Sequence, residues 1–282
     1  MNSEIIEGYF IANGRILPVA EAERFSAGFS RTIYEVIRVI SGVPVFLERH
    51  VERLEASARL VNSSVKAIKP QLEESIGELI NANGSPDKNI KIIVYNLENG
   101  IPDYMAYFIK SSYPSAEEYV NGVKAILLQE ERDNPNAKIV NSSYKERVAA
   151  ALDSSGAYEA LLVSGKGEIT EGSRSNVFFV RGGEVLTAPK GNVLIGITRV
   201  CVMELCEKLG IKVLEVPVGS GMLQELEGVF ITGTSPKILP VRSIGELHFN
   251  SAENRVVKAI MQGYDAMLEE YINKKAKRDV AK

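Results

Sequence analysis

Glu171 is an acidic residue placed against strongly apolar segments, so its counter-charge has to be identified. It lies in residues 158–180, where two strand-like apolar runs flank a Gly-Lys-Gly turn, and it comes just before the second run. Acidic side chains are rarely buried without a partner. The ordinary candidate is Arg174, three residues further on, and the alternative is a bound cationic group.

Arg53 is a candidate cation for an anionic ligand. It lies in a predicted amphipathic helix over residues 47–61, with apolar residues at helical spacing. None of its neighbours three and four positions away is acidic, these being Arg49, His50, Ala56 and Ser57. We therefore expect no ion pair within the helix, which leaves Arg53 able to bind an external anion. The ordinary alternatives are a surface arginine, and packing or solvent for His50.

Two short segments have the composition of phosphate-binding turns. Residues 196–198 (Gly-Ile-Thr) precede a predicted helix, and a helix N-terminus offers unpaired N–H groups and the positive end of the helix dipole. Residues 233–235 (Gly-Thr-Ser) follow a predicted buried strand. Each segment alone is equally typical of a plain N-cap or turn. Neither a GxxxxGK[ST] loop nor a GxGxxG turn that opens a βαβ unit occurs.

A phosphate site, an isolated acid and a lysine close to a helix start together suggest pyridoxal phosphate. Its chemistry needs an amine for the Schiff base, an acid that keeps the pyridine nitrogen protonated, and a phosphate anchor. The protonated pyridine nitrogen would then be the cation that Glu171 faces.

Composition describes an ordinary globular protein of one large domain or two. The 282 residues are 45% hydrophobic and 24% charged with a net charge of −3, which argues against a nucleic-acid partner and against an anionic membrane surface. No apolar run approaches the length of a membrane span, and the first residues lack the basic character of a signal peptide. Two cysteines and two histidines predict neither a disulfide framework nor a metal site, and favour a cytoplasmic location.

The elements that must position these residues alternate between strands and helices, which predicts an α/β (α+β) fold. The first half predicts a hairpin around Asn13-Gly14, a strand, turn and strand over 33–46, helices over 47–61 and 71–82, and strands over 89–96 and 104–110. The second half predicts strands over 123–129, 184–188, 211–218, 228–232 and 237–241, and helices over 141–155, 198–209 and the C-terminal region. We predict an N-terminal domain over 1–112, a linker over 113–121 and a C-terminal domain over 122–282 that carries the reactive lysine.

The order of motifs resembles the class IV aminotransferases, the fold-type IV pyridoxal-phosphate enzymes. This family includes branched-chain aminotransferases, D-amino-acid aminotransferases and aminodeoxychorismate lyases. The matching segments span about residues 29–241 and are IYEVIRV, HVERLEASARL, AKIVNSS, YEALLV, ITEGSRSNVFFV, LIGITR and FITGTSPKILPV. The resemblance implies two α/β domains with the cofactor between them, and a homodimer.

The resemblance also implies roles for individual residues. Arg53 matches the phosphate-binding arginine, and Glu171 matches the acid at the pyridine nitrogen. Ile197 and Thr198 match the phosphate cup. The remaining matches are Leu194 against the cofactor ring, Thr234 at the phosphate, Ser235 through its backbone N–H at the substrate carboxylate, and Tyr34 as an active-site aromatic residue for which a buried structural role is the alternative.

Lys138 is the lysine that the resemblance assigns to the Schiff base. Relatives place this lysine about twenty residues before the tyrosine-glutamate step that opens the next strand, and counting back from Tyr158 gives Lys138. Lys138 also precedes a helix start, where the dipole favours an uncharged amine. Lys145 falls inside the predicted helix and is expected to be solvated. The implied reaction is a ping-pong transamination between an amino acid and a 2-oxo acid, with Lys138 as the proton shuttle.

Substrate choice is where the chain departs from its relatives. D-amino-acid enzymes carry Arg-x-His after the strand that matches 89–96, whereas this chain has Leu-Glu-Asn-Gly at 97–100. Arg31 could replace that pair as a carboxylate anchor, or it could be a turn residue. The Thr-Gly-Thr-Ser segment at 232–235 is closer to the branched-chain type. We therefore expect an L-amino-acid substrate, with branched-chain amino acids favoured, and keep the D-amino-acid enzyme, the lyase and a cofactor-binding protein without turnover as alternatives.

Overall fold

The computed structural model describes residues 4–25, 32–132, 135–136, 138 and 142–280. These divide into two compact units. Unit 1 comprises Met1–Ser112, Ala137–Val140 and Leu268–Lys282, and unit 2 comprises Tyr113–Asn136 and Asn141–Met267. The sequence analysis assigned Lys138 to the second domain, but the structure groups the short segment around it with unit 1. The reason is a set of contacts with residues about 80 to 100 positions earlier, which sequence proximity does not reveal.

Among its described residues, unit 1 is built on a six-stranded antiparallel sheet and the helices α1 and α2. Its elements are β1 (Tyr9–Ala12), β2 (Arg15–Pro18), β3 (Ile33–Ile40), β4 (Val43–Pro44), α1 (Leu47–Leu60), α2 (Lys69–Ala82), β5 (Asn89–Tyr95) and β6 (Asp103–Ile109). The strand order is β2-β1-β6-β5-β3-β4. The predicted turn between β1 and β2 is confirmed, because Asn13 (φ 48°) and Gly14 (φ 76°) both take the left-handed conformation that a tight hairpin needs.

The alternation of side chains along β3 turns one of its faces toward the helices of unit 1. Ile33 and Ile37 join the core that α1 and α2 cover, together with Leu54 of α1. Glu35 points to the same face and is fully buried. The helix α1 is therefore held against the strand that carries this acid, by the apolar stripe that the sequence predicts.

The last helix contributes its final residues to unit 1. Within this unit, the hydroxyl of Tyr271 donates to Oε2 of Glu48 at 2.7 Å, and Lys275 pairs with the same carboxylate. The Tyr271 ring also packs on Phe46, with centroids 4.7 Å apart. Residues distant in sequence thus close over the start of α1.

Unit 2 is built on a sheet with ten strands among the described residues. Its elements are α3 (Ala116–Asn121), β7 (Val123–Gln129), α4 (Ser142–Ser155), β8 (Glu159–Val163), β9 (Glu168–Gly172), β10 (Asn176–Arg181), β11 (Glu184–Thr187), α5 (Ile197–Leu209), β12 (Val213–Glu215), β13 (Val218–Gly219), β14 (Gly228–Gly233), β15 (Lys237–Ile244), β16 (Leu247–His248) and α6 (Arg255–Val280), the last of which continues into unit 1. The order is β12-β11-β10-β14-β15-β7-β8-β9-β13, with β16 on β15. The β7–β8, β15–β7 and β11–β12 pairs are parallel.

Three local features of unit 2 differ from the sequence expectation. Residues 158–180 form three strands, because β9 pairs with β8 and β13 although its polar residues break the apolar pattern. The strand expected over 211–218 is divided at Pro217, which cannot donate a ladder hydrogen bond, into β12 and β13. The expected linker 113–121 contains α3, whose start is fixed by a capping box between Ser115 and Glu118.

Among the described residues, no helix is long and apolar enough to cross a membrane. In the same part of the chain, no group of three or more His, Cys, Asp or Glu side chains is arranged to hold a metal ion.

Candidate active site

In unit 1, Arg53 is part of a buried charged cluster. Its Nε donates to Oε1 of Glu35 at 2.8 Å and its Nη2 donates to Oε2 at 2.7 Å. The sequence expectation concerned ion pairs within the helix, and this acidic partner lies outside it. The comparison considered only neighbours on the same helix, whereas the partner comes from β3, 18 residues earlier.

His50 is the second partner of this carboxylate. Its Nδ1 lies 2.8 Å from Oε2 of Glu35, and His50 is buried, so solvent is excluded as its surroundings. An ionised carboxylate only accepts hydrogen bonds, so the imidazole carries its proton on Nδ1 and donates. The fully buried Glu35 thus binds two side chains of α1 that lie one turn apart.

The pKa shifts in the cluster follow from burial and charge. Burial of the Glu35 carboxyl acts to raise its pKa, but the charge and hydrogen bonds of Arg53, with a smaller contribution from His50, hold that pKa well below its usual range. Burial lowers the pKa of the His50 imidazole and outweighs the opposite effect of Glu35. The cluster at neutral pH is therefore an arginine cation, a carboxylate and a neutral histidine.

Lys138 is held by β3 and α1. Its carbonyl oxygen accepts from the backbone N–H of Tyr34 at 3.1 Å, and its N–H lies 3.5 Å from Oγ of Ser57. Its Nζ lies 4.8 Å from the centroid of the Tyr34 ring. By contrast, Lys145 lies in α4 and is exposed. The amine of Lys138 is therefore presented against an aromatic face by elements of unit 1.

In unit 2, Glu171 is a buried acid on β9 whose oxygens meet donors from two other segments. Nη1 of Arg132 donates to Oε1 at 3.2 Å, and the backbone N–H of Leu194 donates to Oε2 at 3.0 Å. The ordinary candidate from the sequence, Arg174, instead donates to the carbonyl oxygen of Tyr158 at 3.0 Å. Arg132, which comes 39 residues earlier, is therefore a protein cation beside Glu171.

The segment before α5 is fixed to the sheet by Asn176. Nδ2 of Asn176 donates to the carbonyl oxygen of Leu194 at 2.8 Å, so both polar groups of the Leu194 backbone are bound. A Cβ added to Gly196 would overlap Oδ1 of Asn176, which explains a glycine there. This close approach places the first turn of α5, with the buried Ile197 and Thr198, directly after the segment that binds Glu171.

Glu159 organises the turn that follows Glu171. Its Oε1 accepts from the backbone N–H of Ser173 at 3.1 Å, and its Oε2 accepts from the hydroxyl of Ser175 at 2.8 Å. Both donors belong to the turn itself, 14 and 16 residues after Glu159. In the sequence, Glu159 served only as part of the reference point from which Lys138 was located, and its own role was not predicted.

The remaining predicted site residues are placed as follows. Thr234 and Ser235 lie half-buried in the turn between β14 and β15, and Tyr34 is half-buried on β3. Arg31 lies outside the described residues. The residues whose roles the sequence did not reveal are Glu35, Arg132, Glu159 and Asn176. The signal available for each was a polar residue within or next to a strand-like apolar run.

Each unit, taken by itself, carries groups of the kind that pyridoxal phosphate requires. Unit 1 provides an amine at Lys138 and a guanidinium at Arg53. Unit 2 provides a buried carboxylate at Glu171 and the N-terminus of α5 at Ile197. The N-cap residue of this helix is Gly196, which has no side chain that could cap the first N–H groups. Amine, acid and phosphate anchor are thus all present among the described residues.

Comparison with known proteins agrees with this chemistry. Residues 32–244 match the family model of amino-transferase class IV. A D-alanine aminotransferase from Bacillus licheniformis is 30% identical over 247 residues, covering 82% of this chain and 87% of the relative. A putative branched-chain-amino-acid aminotransferase from Methanocaldococcus jannaschii is 28% identical over 248 residues, covering 82% and 85%.

Solved structures show the same fold. The branched-chain amino acid aminotransferase of Escherichia coli aligns with a TM-score of 0.81 at 24% identity, over 93% of this chain and 95% of that one. The branched-chain amino acid aminotransferase of Thermobaculum terrenum, in its PLP-bound holo form, gives a TM-score of 0.77 at 21% identity, over 95% of both chains. The chain therefore belongs to the class IV aminotransferases, the pyridoxal-phosphate enzymes of fold type IV.

Proposed function

We propose that this aminotransferase exchanges the amino group of a branched-chain L-amino acid with a 2-oxo acid. The observation that carries the choice of substrate is the loop after β5. Leu97 is buried in the core of unit 1, and its carbonyl oxygen accepts from the Ser63 hydroxyl at 2.7 Å. Asn96 is bound to Asp103 at 2.7 Å, so acidic and apolar groups shape this loop. A loop with no arginine or histidine at 97–100 is a poor trap for a substrate carboxylate.

The residues proposed to hold the cofactor supply an attachment point, an acid and a phosphate site. Lys138 attaches it covalently and moves a proton at the substrate Cα. Glu171 would keep its pyridine nitrogen protonated. The cofactor, when bound, acts as the electron sink for the Cα carbanion. The residues that would hold its phosphate are Arg53 through its guanidinium, Ile197 and Thr198 at a helix N-terminus, and Thr234 in a turn.

Three residues are assigned to orientation of ring and substrate. Leu194 is proposed to pack on the cofactor ring, while its backbone N–H orients Glu171. Tyr34 is proposed as an active-site aromatic residue, supported by the contact of its ring with the Lys138 amine. Ser235 is proposed to bind the substrate carboxylate through its backbone N–H.

Arg31 remains a hypothesis for the carboxylate anchor, motivated by its position two residues before β3. Arg31→Ala is expected to raise the KM for amino donors. An unchanged KM would rule out this role and leave Arg31 as a turn residue.

We further propose a homodimer, as the family resemblance implies, and a cytoplasmic location. The two cysteines, Cys201 and Cys206, are buried and form no disulfide with each other, and burial raises the pKa of the Cys206 thiol to about 11. Unreactive thiols of this kind suit a reducing compartment. Sedimentation equilibrium at several protein concentrations tests the dimer.

A D-amino-acid aminotransferase is the second candidate, and the 30% identity to a D-alanine aminotransferase favours it. An aminodeoxychorismate lyase would use the same lysine and cofactor. It would release pyruvate from aminodeoxychorismate without a 2-oxo acid acceptor.

The test is a panel of L- and D-amino acids with 2-oxoglutarate and pyruvate as acceptors, followed through the absorbance of the cofactor. We expect the fastest conversion with L-leucine, L-isoleucine or L-valine. Faster conversion of D-alanine would replace the proposal by the second candidate. Lys138→Ala should abolish the visible absorbance of the covalent adduct. A wild-type protein that binds the cofactor but converts none of the panel would be a binding protein without turnover.

A further inference from the structure

We propose that Glu35 is a positioning residue that fixes which edge of the Arg53 guanidinium is presented to the cofactor phosphate. This inference rests on the proposed role of Arg53. The observation behind it is the bidentate contact, in which Glu35 engages Nε and Nη2 at 2.8 and 2.7 Å.

The bidentate contact restricts the guanidinium to one orientation. A guanidinium has five N–H donors in a rigid plane, and Glu35 engages the two that form the Nε/Nη2 edge. An anion bound by the same side chain must therefore use donors outside that edge, which are the two N–H groups of Nη1 and the second N–H of Nη2. Turning the guanidinium about its long axis would stretch both contacts with Glu35 at once.

The carboxylate itself is fixed by a third donor. His50 donates from Nδ1 to Oε2, the oxygen that also binds Nη2 of Arg53. Because His50 and Arg53 lie on α1 and Glu35 lies on β3, the three side chains join helix and strand. The same two elements hold the Lys138 backbone, through Tyr34 and Ser57. Glu35 is also fully buried. Its carboxylate therefore cannot rotate without losing a hydrogen-bond partner.

Two roles are conceivable for Glu35, orientation of Arg53 or neutralisation of its charge. They predict opposite changes in the affinity for the phosphate when Glu35 is removed. If Glu35 only offsets the charge of Arg53, then its removal leaves a stronger cation, and phosphate binds more tightly. If Glu35 orients Arg53, its removal lets the guanidinium turn away, and phosphate binds more weakly. The sign of the change therefore separates the two roles.

The experiment titrates the full-length protein, freed of cofactor, with pyridoxal phosphate and separately with pyridoxal, which lacks the phosphate. Glu35→Gln is expected to raise the Kd for pyridoxal phosphate about tenfold or more, the scale on which partners that orient a binding side chain act. The Kd for pyridoxal should stay unchanged. Glu35→Asp keeps the charge but shortens the side chain, so it should also raise the Kd for pyridoxal phosphate. This variant serves as the test if Glu35→Gln fails to fold.

Glu55→Gln is the matched control. Glu55 lies on the same helix and is also a buried carboxylate, held by the N–H of Val65 at 2.8 Å and by Arg59 at 3.1 Å. It should lower stability without changing the affinity ratio between the two ligands.

The remaining outcomes separate this inference from the proposed function. Unchanged or tighter binding of pyridoxal phosphate by both Glu35 variants overturns the positioning role, as does an equal loss for both ligands. Arg53→Lys and Arg53→Gln test the phosphate role itself. If those two variants bind pyridoxal phosphate like the wild type, the assignment of Arg53 fails first. If they lose affinity and the Glu35 variants do not, only the present inference fails.

Discussion

Each unit buries a carboxylate against an arginine, and the two pairs are built differently. In unit 1, Glu35 is fully buried, and its ion pair with Arg53 is 2.7 Å long. In unit 2, the ion pair between Glu171 and Arg132 is 3.2 Å long, and the other carboxylate oxygen accepts from the Leu194 backbone. Under the proposed assignments, the first arrangement orients a cation toward its ligand, whereas the second orients an acceptor. Buried acid-arginine pairs can therefore serve opposite purposes in one enzyme.

The sharpest test of this contrast is the charge of Glu171. Glu171→Gln keeps the shape of the side chain but removes its negative charge, so we expect kcat to fall about a thousandfold, on the scale of losing one electrostatic contact in a transition state. Glu35→Gln should instead leave kcat at saturating cofactor close to the wild-type value. Steady-state kinetics with the best substrate of the amino-acid panel measure both. Comparable losses of kcat in the two variants would break the distinction.

Substitution of Arg132, the partner of Glu171 in unit 2, is expected to lower kcat by a smaller factor. Arg132→Lys keeps a cation beside Glu171 but loses the planar fork, so we expect kcat to fall about tenfold. The selectivity for pyridoxal phosphate over pyridoxal should not change, in contrast to Arg53→Lys. A change in that selectivity would assign Arg132 to the phosphate instead.

The smallest expected effect is the dependence of stability on pH. Because burial depresses the pKa of folded His50, the unfolded chain binds this proton first as pH falls below about 6.5. Stability supplied by neutral His50 is therefore complete above that pH and is lost toward lower pH, with a slope of at most about 1.4 kcal/mol per pH unit. Urea unfolding between pH 7 and 5 should show this slope for the wild type and a flatter one for His50→Asn.

His248, the second histidine of the chain, is exposed and supplies the control for this measurement. His248→Asn should retain the wild-type slope. If His50→Asn retained it too, protonation of His50 would not be coupled to the folding of unit 1.

Most helices and strands could be predicted from the sequence because they depend on local patterns. The hairpin at Asn13-Gly14 and the apolar stripe of α1 are examples, since turn chemistry and helical period act over a few residues. The strand β9 was not predicted, because it lacks such a local pattern. Its partners come from β8 and β13, and its own residues alternate too weakly to show this.

The site was predicted in its residue types but not in its contacts. Glu171 and Arg53 were singled out by composition and by family resemblance, but the protein partners that the structure gives them were not among those expected. Arg132 and Glu35 come from other strands and segments, and no local spacing rule connects them. Pairing across a sheet depends on topology, which a single sequence expresses only weakly.

The discontinuity of unit 1 has a consequence for synthesis on the ribosome. Its sheet and α1 are complete by residue 109, but the ring that packs on Phe46 belongs to Tyr271, and the segment with Lys138 emerges between them. A nascent chain that ends before Tyr271 therefore exposes an apolar aromatic surface at the start of α1. Such long-range closure slows folding and prolongs the exposure of apolar surface. Unit 1, although it is translated first, can complete its packing only after unit 2 has left the ribosome.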